Sequence, residues 1–279
     1  MTDAVVSTSP ATRAPIMKGA NVDEYKMCGF DLEIAEDLPE DGDVDWSVPL
    51  GVTCAGLATD LVQSWVAPDM EGEGYAPRIA DISKLVDELV QYQRRGFHIV
   101  TWNGMGFDFR VMAQDAKGND PLYDCICDLA WNHIDVAFQM RVEKGYMIGL
   151  DTAAKGLRVQ GKTEGMSGAF APVMWRQGFD EQAKVLLYVR QDAAATLAVC
   201  EALTRDRVLY WTTKAGRITR SPWLPTFMGA GGPNLGLDGP RRLLTVKEVT
   251  QHCTPADTGW MSFKPTPLEE YYGWTGVFP

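Results

Sequence analysis

The sequence has no C-x-x-C pair, no apolar run approaching the ~18 residues that span a bilayer, no internal repeat and no coiled-coil heptad. Its six cysteines (Cys28, Cys54, Cys125, Cys127, Cys200, Cys253) are scattered, which argues against a disulfide framework and a zinc ribbon and suits a reducing compartment. Cys125, Cys127 and His133 have a metal-ligand flavour, but on one helical segment half-buried core thiols explain them more simply, and zinc is set aside. The first twenty residues are rich in Ser, Thr, Ala and Pro and lack the apolar centre of a secretory signal, so they read as a disordered tail and the expected location is cytoplasmic. Basic residues are also in short supply: 26 Lys and Arg face 37 Asp and Glu, giving a net charge of −11. Such a molecule repels polyanions at long range and makes a poor high-affinity nucleic-acid coat.

What is present is ordinary for a soluble globular chain: 46% hydrophobic, 10% aromatic and 23% charged residues over 279 positions. At ~100–200 residues per domain, that length holds one large domain, or one domain with an appendage. Charge is spread unevenly. Asp31–Asp45 carries eight acids and no base, Lys214–Lys247 six bases and one acid, and Lys155–Arg176 four bases and only Glu164. An acidic pole and two basic stretches could give one face an attraction for phosphate in spite of the overall sign.

Tyr25–Ile34 reads as a strand with Asp31 and Glu33 on one face. Gly51–Thr59 and Val62–Val66 follow as apolar strands of an antiparallel meander. Apolar residues at helical spacing (Ile79, Ile82, Leu85, Val86, Leu89, Val90) predict a helix over Arg78–Arg95, after which Phe97–Trp102 returns to the sheet and ends at the turn Asn103-Gly104. Helices are predicted for Phe107–Gln114, Asp124–Asn132, Asp135–Glu143, Thr152–Leu157 and Asp180–Thr204. Beyond Tyr210, Pro222, Pro225, Pro233 and Pro240 alternate with a cluster of glycines. The expected organisation is a tail over 1–21, a domain over 22–210, and an irregular Pro/Gly-rich extension over 211–279 packed on the domain through Trp223, Trp260 and Trp274.

Three motifs carry chemistry. Asp31-x-Glu33 places two carboxylates on one strand face, where they repel each other without a cation. The pattern is cheap, since D-x-E is expected about once in a chain this long and Asp69-x-Glu71 repeats it in a loop; an exposed edge-strand face is the plain alternative. Asn103-Gly104-x-x-Phe107-Asp108 is more specific, with a chance expectation of about 1 in 600 such chains. Asn-Gly reverses the chain sharply, so Asp108 falls in the first turn of the next helix and faces the mouth of the sheet; the alternative is an acid that only complements the helix dipole, with Phe107 in the core. Tyr188-x-x-x-Asp192 sets a phenol and a carboxylate on one helix face, against the alternative of a core tyrosine with an exposed acid one turn on. Acids converging from separate elements are what a two-cation phosphodiester site requires.

In this order the motifs resemble the DEDD superfamily of 3′–5′ exonucleases, in its tyrosine-bearing branch, over roughly Met27–Leu203. That branch includes the proofreading domains of family-A and family-B DNA polymerases, and the chain also looks like stand-alone bacterial and phage proteins with the same motifs. The resemblance implies an α/β, ribonuclease H-like, three-layer αβα fold around a five-stranded mixed sheet, and two Mg²⁺ or Mn²⁺ ions. It implies that Asp31 bridges both cations, that Glu33 and Asp192 complete the first, that Asp108 holds the second through water, and that Tyr188 orients the attacking water. His252-x-x-x-x-Asp257 matches the string of the histidine-bearing branch, yet Pro255 inside it denies a regular helix, so that match is assigned to chance.

The implied activity is hydrolysis at the 3′ end of single-stranded nucleic acid or a short oligonucleotide, with DNA favoured slightly over RNA. Asn103, Phe107, Lys155 and Lys162 are the expected substrate contacts. Trp102 and Met105 are candidates for stacking on bases, Gly161 and Gly165 for close backbone approach, and Arg241 and Arg242 for contact with nucleic acid or a partner. The rival expectation is a catalytically weak relative that binds nucleic acid or a protein.

Overall fold

Alternation decides how the first strand sits. β1 (Lys26–Ile34) sends Cys28, Phe30 and Leu32 into one apolar core and Met27 into another, as a pleated strand buried on both faces must. The same alternation recurs in β2 (Val52–Ala58), where Leu57 and Ala58 part to opposite cores. The computed structural model describes residues 25–39, 44–161, 168–222, 242–259, 261 and 266–276. After β2 come β3 (Gln63–Val66), the two-residue strands β4 (Met70–Glu71) and β5 (Gly74–Tyr75), α1 (Ser83–Arg94), β6 (Phe97–Thr101), α2 (Asp108–Asp115) and α3 (Asp120–Asn132). Then follow β7 (Ile134–Asp135), α4 (Val136–Lys144), α5 (Leu150–Leu157), α6 (Ala171–Trp175), α7 (Phe179–Asp206), β8 (Val208–Thr212), β9 (Ile218–Pro222), α8 (Val246–His252) and α9 (Glu269–Tyr272).

The main sheet has five strands in the order β3-β2-β1-β6-β7. β1 pairs antiparallel with β2 and parallel with β6, and β6 pairs parallel with β7. Helices α1, α2 and α3 cover one face through Leu85, Leu89, Phe109, Met112 and Ile126. Helices α5 and α7 cover the other through Ala153, Leu157, Ala193, Leu197 and Cys200. This is the expected α/β three-layer arrangement with a mixed sheet.

Two glycines bring α7 down onto the sheet. A Cβ on Gly29 would lie 2.1 Å from the Ala193 carbonyl oxygen, and one on Gly56 would lie 2.4 Å from that of Val189. No side chain fits between those backbones, so hydrogen at both positions sets the depth at which α7 rests.

Several elements differ from expectation. α1 begins at Ser83 rather than Arg78, because Asp81 accepts the Ser83 amide at 3.0 Å and fixes a turn there. α3 begins earlier, at Asp120, behind an Asn119 cap that accepts the Leu122 amide and a proline in the first turn. The extension expected to be irregular holds regular structure among its described residues. The hairpin β8–β9 crosses position 210 and buries Leu209 and Trp211 against the α5–α7 core, and α8 starts in a full capping box made by Thr245 and Glu248. Leu244, Val246 and Val249 join the core under α1–α3. Trp274 packs on that core too, whereas Trp223 and Trp260 lie outside the described residues, as do positions 1–21. α8 ends at His252, so His252 and Asp257 do not share a helix. No described helix is long and apolar enough to cross a membrane. All six cysteines are free.

Candidate active site

The site begins where the sheet loses a partner. β6 pairs with β1 only as far as Val100 opposite Gly29, so the β1 backbone beyond that point needs other hydrogen-bond partners. The Leu32 amide donates to Asp108 Oδ1 at 3.2 Å. That bond ties the first turn of α2 to β1 between Asp31 and Glu33, and it follows from the chain reversing directly after β6. The reversal uses Asn103 at φ 73°, in the left-handed region that Asn tolerates better than most residues. The Gly104 amide donates to Thr101 Oγ1 at 3.1 Å, within a turn too tight for a side chain at Gly104.

Asp31, Glu33, Asp108, Tyr188 and Asp192 line one cavity of about 200 Å³, with Trp102, Asn103 and Phe107 on its wall and Gly168 and Ala169 opposite. Glu33 is 5% exposed, Asp108 4%, Tyr188 1% and Asp192 0%, while Asp31 is half-buried. Four acids from β1, α2 and α7 therefore line one cleft, three of them buried. Burial raises the cost of like charges, since those three have been moved out of water beside one another. The structure brings the five expected residues to one cavity: Asp31 and Glu33 from β1, Asp108 from the start of α2, and Tyr188 and Asp192 from α7.

The remaining expected contacts divide. Asn103 and Phe107 border the carboxylate cavity, and Trp102 does so while its indole N–H donates to the Ile148 carbonyl at 3.0 Å. Met105 is fully buried and belongs to the core. Lys155 is not at this cavity: it sits one helical turn from Asp151, with Nζ 2.5 Å from Oδ2, and lines a separate hollow with Arg158 and the β8–β9 hairpin. The reason is helical phase, which turns position 155 toward the hairpin. Lys162, Gly165 and Arg241 fall outside the described residues. Arg242 pairs with Glu248 at the start of α8.

One side chain that holds the Asn103 turn escaped the sequence. Asp135 caps α4, and its Oδ1 accepts the amides of Asn103 and Phe138 at 2.9 Å each while Oδ2 accepts that of Met105 at 2.9 Å. A single buried carboxylate thus pins the turn that presents Asn103, Phe107 and Asp108. Burial pushes Asp135 up to about 6, opposed by those amides. Its neighbour His133 is pushed down to about 3 by burial, so the 3.9 Å approach of its Nε2 to Asp135 is not an ion pair near neutrality. His133 instead meets the Ala130 carbonyl and Thr101 Oγ1, and so braces the core. The only hint in the sequence was an acid in front of an apolar helix, a pattern shared by any N-cap.

Divalent cations suit this donor set in kind, since hard carboxylate oxygens from several elements are what Mg²⁺ and Mn²⁺ take. Among the described residues, no group of three or more His, Cys, Asp or Glu side chains is placed so that it could hold a metal ion.

A solved family-B DNA polymerase from the hyperthermophilic archaeon Pyrobaculum calidifontis aligns with 64% of this chain at 17% identity and a TM-score of 0.47. This chain spans 24% of that polymerase. No curated protein matches it significantly. A sequence model of the RNase_H superfamily matches residues 58–204, a span that takes in Asn103, Asp108, Tyr188 and Asp192 and begins after Asp31 and Glu33. That span is more than half of the chain and contains helices α1–α6, nearly all of α7, and strands β3, β6 and β7 of the main sheet: the chain belongs to the RNase H superfamily.

Proposed function

We propose that this protein is a metal-dependent 3′–5′ exonuclease that hydrolyses phosphodiester bonds at the end of single-stranded nucleic acid, DNA ahead of RNA. The observation that carries the reading is the meeting of Asp31, Glu33, Asp108 and Asp192 with Tyr188 in one small cavity. Polarity comes from the resemblance of the three motifs to the tyrosine-bearing exonucleases, and a single strand is favoured because a cavity of about 200 Å³ admits one flexible end more readily than a duplex.

Asp31, Glu33 and Asp192 would hold one cation, and Asp31 and Asp108 the other. Bound cations supply positive charge that neutralises the acids and makes water a better nucleophile at neutral pH. Tyr188, on the helix face of Asp192, offers a phenol to hydrogen-bond that water and aim it at phosphorus. Asn103 and Phe107 stand at the rim, where they would orient the terminal nucleotide, and Asp135 keeps their turn in place. The domain through the β8–β9 hairpin would hold the whole catalytic set, with α8 and the 266–276 segment packed against it.

The test is digestion of 5′-labelled single-stranded DNA and RNA in Mn²⁺ by the wild type, Asp31→Ala and Asp108→Ala. The reading expects a ladder of shortened products from the wild type and none from either variant. A ladder that survives either substitution contradicts the site. The alternative, a binding relative with little catalysis, draws on the net charge of −11 and would show metal-dependent binding without products.

A further inference from the structure

A second hollow of about 500 Å³ adjoins the carboxylate cavity and shares Asn103 and Phe107 with it. Four aromatic side chains stand in its otherwise largely polar walls: Trp46 and Phe107, and Tyr271 and Trp274 from the C-terminal segment, together with Arg110. The Arg110 guanidinium stands 3.9 Å from the Trp46 ring centroid, and the Trp46 and Phe107 rings meet edge to face at 6.0 Å. That segment, 266–276, lies outside the span that matches the superfamily, and it is fastened to the turn after β6. The Trp274 indole N–H donates to the Met105 carbonyl at 3.0 Å, and Arg110 donates to the Glu270 carbonyl at 3.2 Å. Gly106 lets Tyr271 lie over that turn, since a Cβ there would come within 2.8 Å of the ring.

The chemistry of the hollow selects its guest. Flat aromatic faces and a stacked guanidinium hold planar π systems. Exposed Glu269 and Glu270 at the rim repel phosphate while accepting from amino groups. Asn103 lines both cavities, and its Oδ1 is buried with no hydrogen-bond partner among the described residues, an acceptor that a guest's donor would satisfy once the side chain turns toward it. A nucleobase meets all three conditions, and the phosphate attached to its sugar belongs in the adjoining cavity.

We propose that this hollow is a nucleobase subsite, walled by the C-terminal segment, for a base of the single strand whose end enters the carboxylate cavity. The inference rests on the nuclease reading and adds to it the part of the protein that grips the substrate. A strand threaded this way is held by stacking, which serves every base and helps an acidic protein retain a polyanion.

The test uses the full chain and an oligothymidylate carrying 2-aminopurine within its last three 3′ nucleotides, titrated in EDTA for binding and in Mn²⁺ for hydrolysis. Stacking should quench the 2-aminopurine of the wild type and of Tyr271→Phe. The quench should be lost in Tyr271→Ala and Trp46→Ala, with KM raised about tenfold and kcat changed far less. Thermal melts certify folding, and because the two alanine variants cut separate segments of the wall, either one that folds decides the matter. Gly106→Ala, which displaces Tyr271 without deleting it, should weaken the quench as well. Unchanged quench and KM in a folded alanine variant would overturn the subsite, as would faster turnover by Tyr271→Ala, which would make the segment an obstruction. In both cases hydrolysis by the wild type leaves the nuclease reading standing. A wild type that neither binds nor cuts the oligonucleotide sinks both.

Discussion

The carboxylate cavity and the β8–β9 hairpin are opposites. The cavity gathers four acids from three elements distant in sequence, most of them buried. The hairpin region 207–222 carries Arg207, Lys214, Arg217 and Arg220 and no acid, joined by a tight local turn with its charges in solvent. Position explains the contrast. A buried acid cluster is tolerable only where counter-charge is brought to it, so it belongs to chemistry. Exposed bases cost little and act at a distance, so they belong to capture. Under the proposed nuclease reading, a chain of net charge −11 would keep the two tasks apart, with attraction carried by the exposed Lys214, Arg217 and Arg220 of the hairpin.

The sharpest way to break that division is Asp108→Ala. It removes one acid from the cavity and the acceptor of the Leu32 amide, and turnover should fall by at least about 10²-fold with oligonucleotide affinity nearly kept, as single-turnover kinetics and binding isotherms would report. A charge reversal on the hairpin, Arg217→Glu with Arg220→Glu, should do the converse. It should raise KM at low salt by about fivefold, leave kcat alone and flatten the salt dependence.

Between these lie two tests of how the cavity is held. Gly56→Ala drives a methyl group to 2.4 Å from the Val189 carbonyl oxygen, so α7 must lift and carry Tyr188 and Asp192 with it. A stability loss of about 3 kcal/mol, read by urea unfolding, should come with a fall in turnover, whereas α-helical content should persist. Asp135 gives the smaller effect. Its carboxyl is raised to about 6 from an unfolded value near ~3.9, so the native state binds the proton more tightly. The stability from this group is full below about 4 and is lost as pH rises through about 6. Asp135→Asn should flatten the melting temperature across that window, and the dependence persisting unchanged would remove Asp135 as its source.

The two regions were also unequally legible in the sequence. Asp31, Glu33, Asp108, Tyr188 and Asp192 could be singled out because strand and helix periods tell which side chains share a face, and because Asn103-Gly104 marks where the chain turns. What no local pattern announces is a partner far along the chain. Asp135 looks like any helix cap until the Asn103 turn is folded over it. β7 is two residues long, too short for alternation to register. The hairpin was hidden by the prolines and glycines that follow it, and Tyr271 and Trp274 gain their meaning only from Gly106, more than 160 positions earlier. Lys155 failed for the reverse reason: a basic residue in the right stretch was turned by helical phase toward Asp151 and the hairpin.

The central claim is that four acids act as one site. The most direct measurement is a double-substitution cycle, with single-turnover hydrolysis of a 5′-labelled oligonucleotide in Mn²⁺ by the wild type, Asp31→Asn, Asp192→Asn and the pair. Residues that work as a unit lose nearly everything with the first substitution, so the pair should be no slower than the worse single variant. Losses that multiply, or a single variant that keeps wild-type turnover, would show that the acids do not share one task.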